Sequence, residues 1–224
     1  MAATLQQFLA RVASRQRAVV IGGLAVIAHG LSRPTKDGDA WLDPLDSPAA
    51  WAARLRETLV EFPGTGLWSL AERCIAQPEK LEEIATMDGV VRVTGLVADL
   101  DLFYRPNGLE CVDFDAVWER ASVWADEVRV VDPLDLIVTK DGTGRDQDRL
   151  DIVFLESKLR TDLGARLKTA TRAEAEEIFA RYSDHFVAAK ALENPNPAVQ
   201  ALAREILEGF AAQGDPFARD ALGM

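Results

Sequence analysis

Cysteine, histidine and tyrosine are each present only twice in this 224-residue chain. Cys74 and Cys111 form no CxxC pair, and His29 and His185 are isolated in the sequence. That spacing excludes the common Cys/His zinc sites. Both thiols are therefore expected as small packed side chains. No apolar run approaches the roughly 18 residues of a membrane span, so no membrane partner is expected. The opening stretch MAATLQQFLARVASRQR breaks its apolar positions with Gln and Arg and does not read as a signal peptide. A cytoplasmic, reducing environment is the resulting expectation. Basic residues are also in deficit: 25 Lys and Arg face 36 Asp and Glu, a net charge of −11. No broad duplex-DNA-binding face is expected from such a balance. A local basic groove for tRNA would have to come from Arg33, Lys36, Lys140 and Arg145.

What the chain does contain is an ordinary globular composition, 48% hydrophobic and 27% charged. Thr4 with Gln7 forms a capping box ahead of an apolar stripe at Leu5, Phe8, Leu9 and Val12. AVVI at 18–21 is a short buried strand, ended by Gly22 and Gly23, with a helix from Leu24 to His29. Asp37–Leu42 reads as a second strand, and Ser47-Pro48 opens a helix bearing Trp51, Leu55 and Leu59 on one face. Residues 61–89 give little pattern beyond a short helix after Pro78 that ends at Met87. Val90–Val93 and Leu96–Phe103 read as strands joined near Gly95, Asp113–Arg120 as a helix and Val128–Val131 as a strand. Asp132-Pro133 starts a further helix, and another covers roughly 145–160. From Thr161 onward every segment is helical, with a capping box at Thr171 and Glu174 and a long helix opened by Asn196-Pro197. This shift divides the chain into residues 1–160 and 161–224. Trp41, Trp51, Trp68, Trp118 and Trp124 are expected in the core or in a pocket wall. Glu174, Glu176 and Glu177 are expected on a solvated helix face.

The chemistry concentrates in VVIGGLAVIAHGLSRPTKDGDAWLD, residues 19–43. A buried strand runs into Gly22-Gly23, then a helix, then a strand carrying Asp37 and Asp39. Side chains alternate along a strand, so the two carboxylates share a face. Such a pair repels unless a cation lies between its members, and Mg²⁺ takes carboxylate and triphosphate oxygens. The glycines leave room for a phosphate beside free helix N–H groups. Taken singly, a Gly-Gly pair is usually a turn, and an Asp-x-Asp is usually a solvated loop end. The ordered combination is more specific.

That combination resembles the signature of the DNA polymerase beta-like nucleotidyltransferase superfamily: hydrophobic-Gly-Gly/Ser, about a dozen residues, then Asp-x-Asp. Ile21, Gly22, Gly23, Asp37, Asp39 and Ala40 fill it, and Arg33 and Thr35 match the Arg-x-Thr-x-Asp-x-Asp run of its small bacterial branch. Gly38 departs from the bulky apolar residue usual between the acids. Residues 130–156 are similar to the downstream block of bacterial relatives of abortive-infection toxins and their antitoxins. Lys140, Arg145, Asp148 and Asp151 occupy its polar positions. Asp148 and Asp151 otherwise read as an intrahelical salt-bridge ladder with Arg145, and Lys140 as either structural or phosphate-facing.

The resemblance implies an α/β (α+β) fold, a mixed sheet flanked by helices, with an all-α C-terminal region. It implies a Mg²⁺-dependent enzyme, with two ions, that moves a nucleotidyl group from an NTP to a hydroxyl of a small molecule, tRNA or protein. Metal would be held by Asp37, Asp39 and a third acid, either Asp99 or Asp101. Asp101 is preferred because Leu102 and Phe103 follow it as in relatives. Nucleotide would be held by Gly22, Gly23, Arg33, Thr35, Lys36 and Lys140. The alternative is a non-catalytic, antitoxin-like binding protein that keeps the fold. The Ala198–Phe210 stripe of Val199, Leu202, Ile206 and Phe210 is expected to pack beside the active cleft and wall an acceptor pocket.

Overall fold

A computed structural model describes residues 2–125 and 128–224. The chain divides into two compact units, Met1–Leu155 and Glu156–Met224. The change of composition put this boundary at 160, and both positions lie within one helix, Asp146–Leu167.

The first unit is built on a single mixed sheet. Its strands are β1 (Ala18–Ile21), β2 (Asp37–Leu42), β3 (Gly66–Ser69), β4 (Cys74–Ala76), β5 (Val90–Thr94), β6 (Asp99–Phe103), β7 (Ser122–Ala125) and β8 (Val128–Val130). The order across the sheet is β4-β3-β5-β6-β2-β1-β8-β7. β2 runs antiparallel to β1 and parallel to β6, while β5 is antiparallel to β6. The helices of this unit are α1 (Leu5–Ala13), α2 (Gly22–Ala28), α3 (Pro48–Val60), α4 (Leu81–Met87), α5 (Phe114–Arg120), α6 (Pro133–Lys140) and the first part of α7 (Asp146–Leu167). Local signals set their starts. Thr4 and Gln7 close the α1 capping box, and Ser47 and Asp132 cap helices whose first turn carries a proline.

Strands β3, β4 and β7 were not legible in the sequence. Each is short, and β4 and β7 are the sheet edges, where exposed residues blur the alternation. Leu96–Ala98 stay outside β6. The chain turns at Gly95, with φ +84°, where a Cβ would lie 2.2 Å from the Gly64 carbonyl oxygen. α2 starts at Gly22, two residues earlier than expected. Cys74 is exposed on β4, not packed, and Cys111 is half-buried. Trp41 and Trp51 are fully buried, and Trp118 and Trp124 pack partly against the same core.

Gly38 has a steric reason. It is buried in the middle of β2, and a Cβ there would lie 3.0 Å from Leu5 of α1 and 3.2 Å from Leu100 of β6. α1 thus takes the space that a bulky apolar residue would fill.

The second unit packs α8 (Arg172–Arg181), α9 (His185–Ala191), α10 (Pro197–Ala212) and α11 (Pro216–Ala221) around its own core with Leu167 of α7. Asn194, 1% exposed, donates to the carbonyls of Leu167 and Ala170 at 2.6 and 2.9 Å. Its side-chain oxygen accepts from the Asn196 N–H at 2.7 Å, so this buried amide has a partner for both ends. Val199, Ala203, Leu207 and Ala211 form the buried line of α10, flanked by partly buried Leu202, Ile206 and Phe210. The stripe, expected to pack beside the active cleft, packs on this unit's own core, where small residues at 203 and 211 let α9 and α11 approach closely. Glu174, Glu176 and Glu177 are exposed as expected.

Gly38→Val should lower stability by about 1–3 kcal/mol through overpacking against Leu5 and Leu100. Part of that loss should return in the Leu5→Ala, Gly38→Val double variant, read by urea denaturation. Full additivity of the two substitutions would show that Leu5 does not set the space.

Candidate functional site

The parallel pairing of β2 with β6 sets Asp37 opposite Asp99 and Asp39 opposite Asp101. Paired residues in a sheet point to the same side, so four carboxylates stand on one face of two neighbouring strands. Adjacent strands lie about 4.8 Å apart. Unit charges about 5 Å apart repel by about 3 kcal/mol at an effective dielectric constant of about 20. Such a face needs positive charge.

Arg92 supplies part of it. It stands on β5 opposite Asp101. Its Nε and Nη2 donate to the two oxygens of Asp101 at 2.6 and 2.8 Å. Nη2 also reaches Asp37 at 3.3 Å, and Nη1 lies 3.7 Å from Asp99. Burial of Asp101, 7% exposed, makes this bidentate pair the strongest of the three contacts. Arg92 was missed in the sequence. Its only signal is a single charge in the alternating run Val90-Val91-Arg92-Val93 beside the acidic strand.

Asp39 is not paired with Arg92. Burial, then the charges of Asp101 and Asp37, push its carboxyl up to about 6, against weaker help from the Gly23 N–H and Lys140. The glycine pair makes its position possible. At Gly22, with φ +61°, a Cβ would stand 2.0 Å from the Asp39 Oδ2. No side chain fits there, and the left-handed backbone favours glycine independently. A Cβ on Gly23 would meet Thr35 Oγ1 at 2.8 Å and the Arg33 guanidinium at 3.1 Å. Thr35 in turn donates to the Asp37 carbonyl at 3.0 Å.

A cavity of about 410 Å³ opens over this face. Gly22, Gly23, Arg33, Thr35, Lys36, Asp37, Asp39, Asp101 and Lys140 all line it, with Arg92; Asp99 does not. Lys36 is exposed. Lys140 is different. It is 4% exposed and lies between Asp148 at 2.7 Å and Asp151 at 2.8 Å. Asp151, fully buried, also takes a bidentate pair from Arg33 at 2.9 and 2.7 Å. Asp148 accepts from Thr143 at 2.7 Å and Arg145 at 2.6 Å. Burial raises both carboxyls, but these hydrogen bonds outweigh it and hold them below the usual carboxylate range. Arg145 precedes α7, so its contact with Asp148 is made from the loop and is not the intrahelical pair expected from the sequence; the other links run between elements, tying α6, α7 and the Arg33 loop together.

Hard carboxylate oxygens, a raised Asp39 and a cradle that a Cβ would fill suit a small divalent cation. Among the described residues, no three His, Cys, Asp or Glu side chains are already gathered around a common metal position; Asp37, Asp99 and Asp101 all turn toward Arg92.

Comparison with protein-family models and with curated proteins finds no match. Among solved structures, the chain is similar to a crystal structure described as a "putative nucleotidyltransferase from H. pylori", with 17% identity and a TM-score of 0.40 over 91% of this chain and 94% of that one.

The folded Asp39 carboxyl titrates near 6 against 3.8 when unperturbed. Its proton therefore favours the fold. That contribution is complete below about 3.8 and is lost as pH rises through about 6. Without added metal, Asp39→Asn should be more stable than wild type at pH 7.5 by up to ~3 kcal/mol, with the gap closing near pH 4. Chemical denaturation at both pH values checks this, and a variant less stable than wild type at pH 7.5 would contradict it.

Proposed function

We propose that this chain is a Mg²⁺-dependent nucleotidyltransferase, transferring a nucleotidyl group from an NTP to an acceptor hydroxyl of a small molecule, a tRNA or a protein. The observation that carries the reading is the register of β2 with β6, which brings Asp39 abreast of Asp101 at the mouth of a cavity edged by Gly22 and Gly23. In this reading Asp37, Asp39 and Asp101 hold two Mg²⁺ ions. The bound ions would neutralise triphosphate oxygens and lower the pKa of the acceptor hydroxyl. Lys36, exposed in the cavity lining just before β2, receives phosphate oxygens, and Gly22 and Gly23 leave room for the phosphate to approach. Lys140 keeps its two aspartate partners and contributes a fixed positive field. Asp101 serves the attack step because it is the most buried of the β6 acids and lies next to Asp39. Asp99, half-exposed and outside the cavity lining, takes a lesser part.

A second reading draws on Arg92. An acidic face already neutralised in part by an internal guanidinium also suits a non-catalytic binding protein. Label from an α-³²P NTP appearing on an acceptor in cell extract, with loss of pyrophosphate, separates the two.

Joint Asp37→Asn and Asp39→Asn substitution should abolish the Mg²⁺-dependent rise in melting temperature given by an NTP, with the fold intact by circular dichroism. An undiminished rise would remove the site. Asp101→Asn should cost at least ~100-fold in transfer while keeping most NTP affinity. Asp99→Asn should be milder, and the reverse ranking would move the role to Asp99.

A further inference from the structure

We propose that Arg92 is a built-in counter-ion that holds the acidic face in the metal-free state and makes divalent-cation loading depend on the triphosphate. The inference rests on the metal-dependent nucleotidyltransferase reading and concerns the order in which that site fills. One guanidinium serves three carboxylates from two strands: Asp101 through both its oxygens, Asp37 at 3.3 Å and Asp99 at 3.7 Å. A carboxylate with both oxygens engaged by Arg92 offers a cation only its remaining lone pairs, on oxygens whose charge the guanidinium already partly neutralises. Among the described residues the acids are correspondingly not gathered around a common metal position.

A cation arriving alone therefore competes with a well-formed, half-buried ion pair for the same oxygens. A cation arriving with a triphosphate does not face the same balance. The phosphates bring negative charge to the face, so there is work for both the cation and the guanidinium, and Arg92 can turn from Asp101 toward phosphate or away from the acids. The sheet offers it a second resting place. The register row Asp39–Asp101–Arg92 continues to Trp68 on β3, half-buried and directly opposite Arg92. An aromatic face one strand away attracts a released guanidinium. Lysine could not play the same part, because it lacks the planar fork that occupies both oxygens of Asp101.

The test is Mn²⁺ binding, read from the loss of the free-ion electron paramagnetic resonance signal, with and without a non-hydrolysable NTP analogue. Without nucleotide, Arg92→Gln should bind Mn²⁺ about tenfold tighter than wild type, the factor that corresponds to an ion-pair coupling of ~1.4 kcal/mol. With the analogue the difference should shrink to about threefold or less. Arg92→Lys should be intermediate, and it carries the test if Arg92→Gln fails to fold by its melting curve. Adding Asp39→Asn to Arg92→Gln should remove the gain. Three results overturn the proposal: equal or weaker Mn²⁺ binding by the Arg92 variants, a gain that survives Asp39→Asn, or an equal gain with and without nucleotide. If wild type takes up Mn²⁺ with the analogue and the variants bind no tighter without it, only the proposal falls. If neither wild type nor variants take up Mn²⁺ under either condition, the nucleotidyltransferase reading falls with it.

Discussion

Repulsion among four carboxylates on two adjacent strands is the constraint around which the first unit is organised. Parallel pairing leaves no freedom here: with β2 and β6 in this register, Asp37 and Asp39 must stand abreast of Asp99 and Asp101. The surrounding features answer that charge. Arg92 reaches across from β5, the Gly23 N–H donates to Asp39, and Lys140 adds a field from α6. What remains uncompensated is concentrated on Asp39, whose proton is held to about pH 6. Under the proposed reading, this unmet negative charge is what a cation would neutralise, at a cost in stability while the site is empty.

The buried network behind the cavity does a different job. Removing one partner of a buried ion pair is costly, whereas the intact pair adds little net stability. Lys140, Asp148, Asp151 and Arg33 are therefore better understood as fixing geometry: they tie α6, the start of α7 and the loop before β2 into one frame. Thr35, next along that loop, lies against Gly23. The frame's positive charges are largely engaged by its own aspartates, whereas Lys36 stands exposed in the cavity lining.

Much of this was legible in the sequence because it is written locally. Gly-Gly after a buried strand, Asp-x-Asp in a strand and capping residues before apolar stripes each act within a few residues, and the elements they predict are present. Asp99 and Asp101 were legible as candidates; what separates them is depth, since one is nearly buried and the other half-exposed, and depth depends on which strands and helices cover the sheet. Arg92 was illegible for a similar reason: a lone arginine in a strand acquires meaning only when the strand order sets it opposite Asp101. Gly38 looked like a flaw in the motif until α1 placed Leu5 above it. The α10 stripe was read correctly as amphipathic but assigned the wrong covering surface, because periodicity shows that a face is buried and not what buries it.

The central claim is that the face shared by β2 and β6 is where a divalent cation and a triphosphate meet. Its most direct test is an anomalous difference map from crystals grown with Mn²⁺ and a non-hydrolysable NTP analogue. The account predicts a peak about 2.0–2.3 Å from carboxylate oxygens of Asp37 and Asp39, with the triphosphate running toward Gly22 and Gly23. A bound triphosphate whose Mn²⁺ lies away from both aspartates would contradict it.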